Sequence, residues 1–273
     1  MLAWLLVFAG CAAQTRQPTG PCTGKKTADE AITELNQRKK LAKPIRATGQ
    51  CLLQYRFGGK GHKENFPVKL WINPPNEVYL QGDIAFDAAG LVLGSNADEF
   101  WFWLKPKEIS SFWSGTWAQA GARNGLALSP SAVLEAFGDV DLSGGDWSLT
   151  HGRFDILWLH NEEGELLERV YIEPCDYVVA KIERLNAAGD VFSRAEFADY
   201  EKVADGFFVP KMIKIAAIAD DGSEGSAQIS LGSVQMTQFS AEQEKRLFVR
   251  PEPLGFEHVY TVIDGSAVEQ MPQ

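Results

Sequence analysis

Cysteine is scarce in this sequence, with four in 273 residues, and no two stand at CxxC spacing. A structural zinc site or a dithiol redox centre needs that spacing, so neither is expected. The four histidines, His62, His151, His160 and His258, are scattered and lack ligand spacing. There is no GxSxG to raise a nucleophile on a strand-to-helix turn, and no GxxxxGK[ST] to cradle phosphate. Asp139-Val140-Asp141-Leu142-Ser143-Gly144 opens like a calcium loop, but its twelfth position is Thr150, where that loop needs a bidentate Glu. Basic residues are the minority charge: 26 Lys and Arg stand against 36 Asp and Glu, a formal net charge of −10. Such a surface repels nucleic acid unless it carries a local basic stripe. The densest basic run, Arg38, Lys39, Lys40 and Lys43, falls on a predicted helix and reads as a solvated face. Carboxylates are plentiful, as the net charge requires, and none pick out an acid–base pair. No enzyme activity, metal, cofactor or nucleic-acid partner is expected.

Long apolar runs are missing too, except at the start. MLAWLLVFAGC is apolar from Met1 to Gly10 and reaches Cys11, after which the chain turns abruptly polar. Nothing later approaches the roughly 18 apolar residues of a membrane span. Phe8-Ala9-Gly10-Cys11 resembles a bacterial lipobox, in which cleavage precedes the Cys and its thiol carries a diacylglycerol. Phe8 departs from the Leu usual there, and no Lys or Arg precedes the apolar run. Residues 1–10 are therefore expected to be a signal peptide, Cys11 a lipid attachment site, and residues 11–26, rich in Pro and Gly, a linker. Ala12 lacks the Asp that resembles an inner-membrane retention signal, which points to the outer membrane. Three cysteines then remain: Cys22, Cys51 and Cys175. An oxidising compartment permits one disulfide, and Cys22 with Cys51, flanking the first predicted helix, is the favoured pair.

What fills the chain is strand pattern. Thr27-Ala28-Asp29-Glu30 fits a capping box for a first helix, with Ala28, Ala31, Ile32, Leu35 and Ala42 along one face and Pro44 at its end. Period-two runs follow at 50–57, 66–72, 77–86, 91–94 and 99–105, joined by turn residues. Leu128-Ser129-Pro130 opens a short helix, with Ser129 as N-cap, Leu128 and Val133 as staple, and Gly138 as stop. Runs at 153–160, 168–174, 177–186, 191–203, 210–219, 225–239 and 247–251 complete the pattern. Residues 254–273 read as a tail. Short strands with tight connections argue for an antiparallel meander, mainly β, not βαβ units.

Residues 96–117, NADEFWFWLKPKEISSFWSGTW, hold seven aromatics and four of the chain's eight tryptophans. In EFWFWLK, Phe100, Phe102 and Leu104 share one face and Trp101 and Trp103 the other, so the strand is apolar on both. A sheet with one wet face alternates, and this strand does not. The more purely apolar set is Phe66, Leu70, Leu80, Phe100, Phe102 and Leu104. Trp158 joins them because Phe154, Ile156 and Trp158 share a face. Trp71, Trp101 and Trp103 share theirs with Lys69, Glu99 and Lys105.

The order of these pieces resembles the LolA/LolB lipoprotein-carrier family. The resemblance is carried by the opening helix, the strand meander, the Ser129-Pro130 helix and a second meander. Within the last, Asp199-Tyr200, Gly206, Pro210 and Ile213 match the family's strand pair, and ISLGSVQMTQ with LFVRPEP its closing segment. It spans roughly residues 28–253. It implies a single curved antiparallel half-barrel of about eleven strands, spanning 27–253, with helices packed in its concave side. It further implies a hollow that accepts a lipid or lipoprotein acyl chain without covalent chemistry, with Phe66, Leu70, Leu80, Phe100, Phe102, Leu104 and Trp158 on the concave side as candidate lipid-binding residues and Trp71, Trp101 and Trp103 on the convex side. The expected protein is a monomer, lipid-anchored on the periplasmic side of the outer membrane. The alternative is a non-carrier envelope lipoprotein with a self-filled core and an outer aromatic patch for a protein or polysaccharide.

Overall fold

The computed structural model describes residues 22–57, 59–84, 87–106, 109–119, 130–218, 224–263 and 266–270. The expected signal peptide, Cys11, most of the linker, Leu128 and Ser129 lie outside these residues. The described elements run α1 (Ala28–Lys39), β1 (Ile45–Phe57), β2 (Lys60–Asn73), β3 (Glu77–Ile84), β4 (Asp87–Ser95), β5 (Glu99–Leu104) and β6 (Ser111–Thr116). Then come α2 (Pro130–Ala136), β7 (Asp146–His151), β8 (Asp155–His160), β9 (Leu166–Ile172), β10 (Val179–Leu185), β11 (Val191–Ala204), β12 (Phe207–Ile218) and β13 (Glu224–Met236). The chain closes with α3 (Ala241–Leu247), β14 (His258–Ile263) and β15 (Ser266–Gln270). No described helix is long and apolar enough to cross a membrane.

All the described strands belong to one sheet, ordered β15-β14-β6-β5-β4-β3-β2-β1-β13-β12-β11-β10-β9-β8-β7. Fifteen strands replace the expected eleven or so. The four additions are β6, β7, β14 and β15. Two of them come from the supposed tail, which is instead a hairpin whose β14 pairs parallel to β6. The run 247–251, expected as a strand, is the end of α3 and the irregular segment after it.

The sheet must curve, and α2 shows by how much. That helix packs on β3 and β4 and also on β11 and β12. In the sheet order β4 and β12 are five strand spacings apart, about 24 Å if flat. A helix is only about 10 Å across, so the sheet wraps around it.

The caps are local and largely as the residues dictate. Thr27 Oγ1 accepts from Glu30 N at 3.2 Å, while Glu30 reaches back to Lys26 N at 2.9 Å. Gly138, at φ +92°, ends α2. Asp139 N donates to Leu134 O and Gly138 N to Glu135 O, the paired bonds that a left-handed glycine allows. Asp139 and Asp141, the abortive calcium pattern, are spent on Lys39 and on Ser143 respectively. In the β11–β12 hairpin, Tyr200 Oη donates to Val179 O across β10 at 2.5 Å. Gly206 makes the turn at φ +69°, where a Cβ would also strike Leu41.

The disulfide differs from the expected one. Cys22 bonds Cys175 in the β9–β10 turn, and Cys51 is a free, buried thiol. The register of β1 sets Cys51 opposite Phe66 on one side and Ile229 on the other. It therefore belongs to the core, and burial pushes its thiol up to about 12. Beside the bridge, Lys25 N donates to Asp155 Oδ2 at 2.9 Å, and Gly24 lies so close that a Cβ would sit 2.0 Å from that carboxylate.

Candidate functional site

The concave side is one continuous core. Phe66, Leu70, Leu80, Phe102 and Leu104 all belong to it, together with Ala31 and Leu35 of α1 and Ala132, Val133, Leu134 and Ala136 of α2. Five of the seven candidate residues thus meet as expected. Phe100 does not: it is fully buried in a separate cluster with Val262 of β14 and Trp117. The hairpin from the supposed tail created that cluster, opposite Gly115, and so drew Phe100 away from the hollow.

Trp158 faces the other way. The strand β8 turns Asp155 and Leu157 inward, and Trp158 outward, where its Nε1 donates to Thr150 Oγ1 at 2.8 Å and Arg169 lies over its ring. A carboxylate took the inward position because it is satisfied there. Besides Lys25 N, Tyr177 Oη donates to Asp155 at 3.3 Å, and His151 Nδ1 lies 3.0 Å away.

The helix α2 is unusual for its length. Every side chain from Ala132 to Phe137 is buried, Glu135 included. A helix buried all round is a core element and not an amphipathic cover. Here it fills the hollow. Beside it, among the described residues, lies a cavity of about 40 Å³, lined by Leu35, Val140, Tyr200, Phe207 and Phe208 among others. That is space for a few waters, whereas small-molecule sites typically offer roughly 300–1,000 Å³.

A second polar node, besides Asp155, stands in this apolar surround, and residue pattern did not single it out. Arg184 of β10 donates to Glu135 Oε1 at 2.5 Å and lies 3.0 Å from Glu168 of β9. Two carboxylates share one guanidinium. Burial pushes Glu168 up to about 7, against the attraction of Arg184 and with the added repulsion of Glu135 and Asp141. The charge of Glu135 in turn raises Arg184. A lone Glu in an apolar helix, PSAVLEAF, was the only available signal.

The convex face answers for the tryptophans. Trp101 and Trp103 form a second small core with Val92 and Phe112, packed against by Tyr79, Phe256 and Val259. Trp101 is wholly buried, and Gly94 behind it has no room for a Cβ, which would lie 2.3 Å from the indole. The covering segment is tied down. Arg250 lies 2.7 Å from Glu99, Asn96 Nδ2 donates to Phe248 O, and the amides of Glu257 and His258 both donate to Ser110 O. The expected outer aromatic patch is therefore covered by the chain's own C-terminal residues, apart from the half-buried Trp71.

By sequence, no family model and no curated protein matches the chain. Solved structures do match its fold. One is a domain from Vibrio parahaemolyticus described as an outer membrane lipoprotein-sorting protein, 14% identical, with 79% of this chain and 94% of that one covered at a TM-score of 0.50. Another is a DUF1329 family protein from Desulfovibrio piger, 11% identical, covering 81% and 97% at 0.52. A LolA superfamily protein from Nitrosomonas europaea, 9% identical, covers 80% and 97% at 0.48. The class is thus an open, curved sheet wrapped around helices. The chain shares its fold with the Vibrio parahaemolyticus domain and the Desulfovibrio piger protein.

Proposed function

We propose that this chain is a lipid-anchored periplasmic protein that buries an acyl chain, of a lipid or a lipoprotein, in its half-barrel. No covalent chemistry is involved, and the protein acts as a monomer on the outer membrane. One observation carries the reading: the hollow is occupied by a seven-residue helix, with Glu135 its one charged residue, that touches both walls of the sheet. Such a short filler is exchangeable for another apolar body of similar girth. Each buried CH₂ contributes about 0.8 kcal/mol, so ten of them offset about 8 kcal/mol of helix displacement. The Cys22–Cys175 bridge supports an oxidising compartment, and Phe8-Ala9-Gly10-Cys11 supports the anchor.

The test is native mass spectrometry of the soluble form lacking residues 1–11. Reproducible co-purified lipid, lost in Phe102→Glu with the fold intact by circular dichroism, supports a binding protein. Incorporation of labelled fatty acid at Cys11 in cells, lost in Cys11→Ser, supports the anchor. A second reading, a non-carrier envelope lipoprotein, is favoured by the close burial of Ala132–Phe137 and by the small cavity, about 40 Å³, beside them. In it α2 is a permanent core, and the same preparation stays empty and takes up no fluorescent fatty acid.

A further inference from the structure

The polar end of the filled hollow points to its occupant. Glu135 is the one charged residue between Pro130 and Phe137. Its neighbours Ala132, Val133, Leu134, Ala136 and Phe137 are all buried apolar side chains. Oε1 of Glu135 accepts from Arg184, and Oε2 is buried with no hydrogen-bond partner. The Glu135 side chain is 6% exposed, while that of Arg184 is 25% exposed. An apolar helix thus lies under the sheet and carries one carboxylate, held by a partly exposed guanidinium. These are the parts of a single-chain amphiphile, supplied by the protein itself.

We propose that α2 is an internal stand-in for a long-chain carboxylate, and that Arg184 receives the ligand's carboxylate when the chain displaces the helix. The assignment rests on the reading of the hollow as an acyl site and names its ligand class. The exchange keeps the charge around Arg184 constant. One carboxylate leaves with α2 and one arrives, while Glu168 from β9 and Asp141 from the segment after α2 stay in place. A planar guanidinium presents paired donors that match a carboxylate and that an ester cannot fully use. Arg184 is here a binding residue, and Glu135 its internal competitor.

The experiment compares dansylaminoundecanoic acid with its methyl ester, titrated against the soluble protein by fluorescence. The acid is expected to bind about tenfold tighter, the scale of a hydrogen bond to a charged group. Arg184→Gln brings the ratio close to one, Arg184→Lys retains part of it, and Glu135→Gln tightens binding of the acid by removing the competitor. Acid and ester binding equally to the wild type would overturn the head-group assignment and leave the acyl reading standing. Failure of both to bind would overturn the two together. The acid-to-ester ratio is read on the unaltered protein, so it decides the matter even where a variant does not fold.

Discussion

Replacing Glu168 by Gln should make the protein less sensitive to alkali. The Glu168 side chain is 12% exposed and shares Arg184 with Glu135. Burial lifts its carboxyl from an ordinary 4.5 to about 7; Arg184 opposes the rise, while Glu135 and Asp141 add to it. The folded value lies above the unfolded one, so folding favours the protonated form. The stability this group contributes is complete below about pH 4.5 and is lost as the pH climbs through about 7. The gap between the two values corresponds to roughly 3 kcal/mol. Gln keeps the shape and an acceptor for Arg184 but does not titrate. Unfolding free energies from urea titrations of both proteins, at pH 4.5 and pH 8, isolate the effect. Between those conditions the wild type should lose roughly 3 kcal/mol relative to Glu168→Gln. A difference between the two proteins that is the same at both pH values would refute the placement of Glu168 in a buried, over-charged node.

Two further outcomes test the contacts that tie distant segments to the sheet. Cys175→Ser opens a bridge between residues 153 apart in sequence and should lower stability by about 3–5 kcal/mol in thermal melts. In that variant a maleimide dye should label Cys22 but not the buried Cys51, and labelling of Cys51 in the native state would contradict its place in the core. Phe256→Ala removes part of the cover over Trp103 and Phe112, whose ring centroids lie 6.1 and 5.5 Å from that of Phe256. It should cost about 1–3 kcal/mol and shift tryptophan emission to the red, whereas an unchanged spectrum would mean that this segment does not shield the pair.

Much of the fold was legible because its signals are local. Eleven strands showed their period of two, since alternate side chains meet different surroundings along a strand. Thr27 and Gly138 marked helix ends through short-range hydrogen bonds. The strands that escaped notice, β6, β7, β14 and β15, are five or six residues long and carry Ser, Gly, Thr or Glu among their apolar positions. In the candidate site, Phe66, Leu70, Leu80, Phe102 and Leu104 were legible as a purely apolar set. Trp158 was misplaced because period two separates two faces without saying which is inward. Asp155 made the inner face of β8 look like the wet one.

Alternation, caps and composition therefore settle that this chain forms a mainly β sheet with a doubly apolar strand at Glu99–Leu104. They cannot say what covers each face, because that depends on strand order and on segments far along the chain. Only the folded sheet puts Phe256 and Val259 over Trp101 and Trp103, and Cys22 beside Cys175. Only its curvature brings Arg184 of one wall to Glu135 of a helix that also touches the other. A buried carboxylate is tolerable only where such a partner waits, and that partner is set by tertiary structure alone.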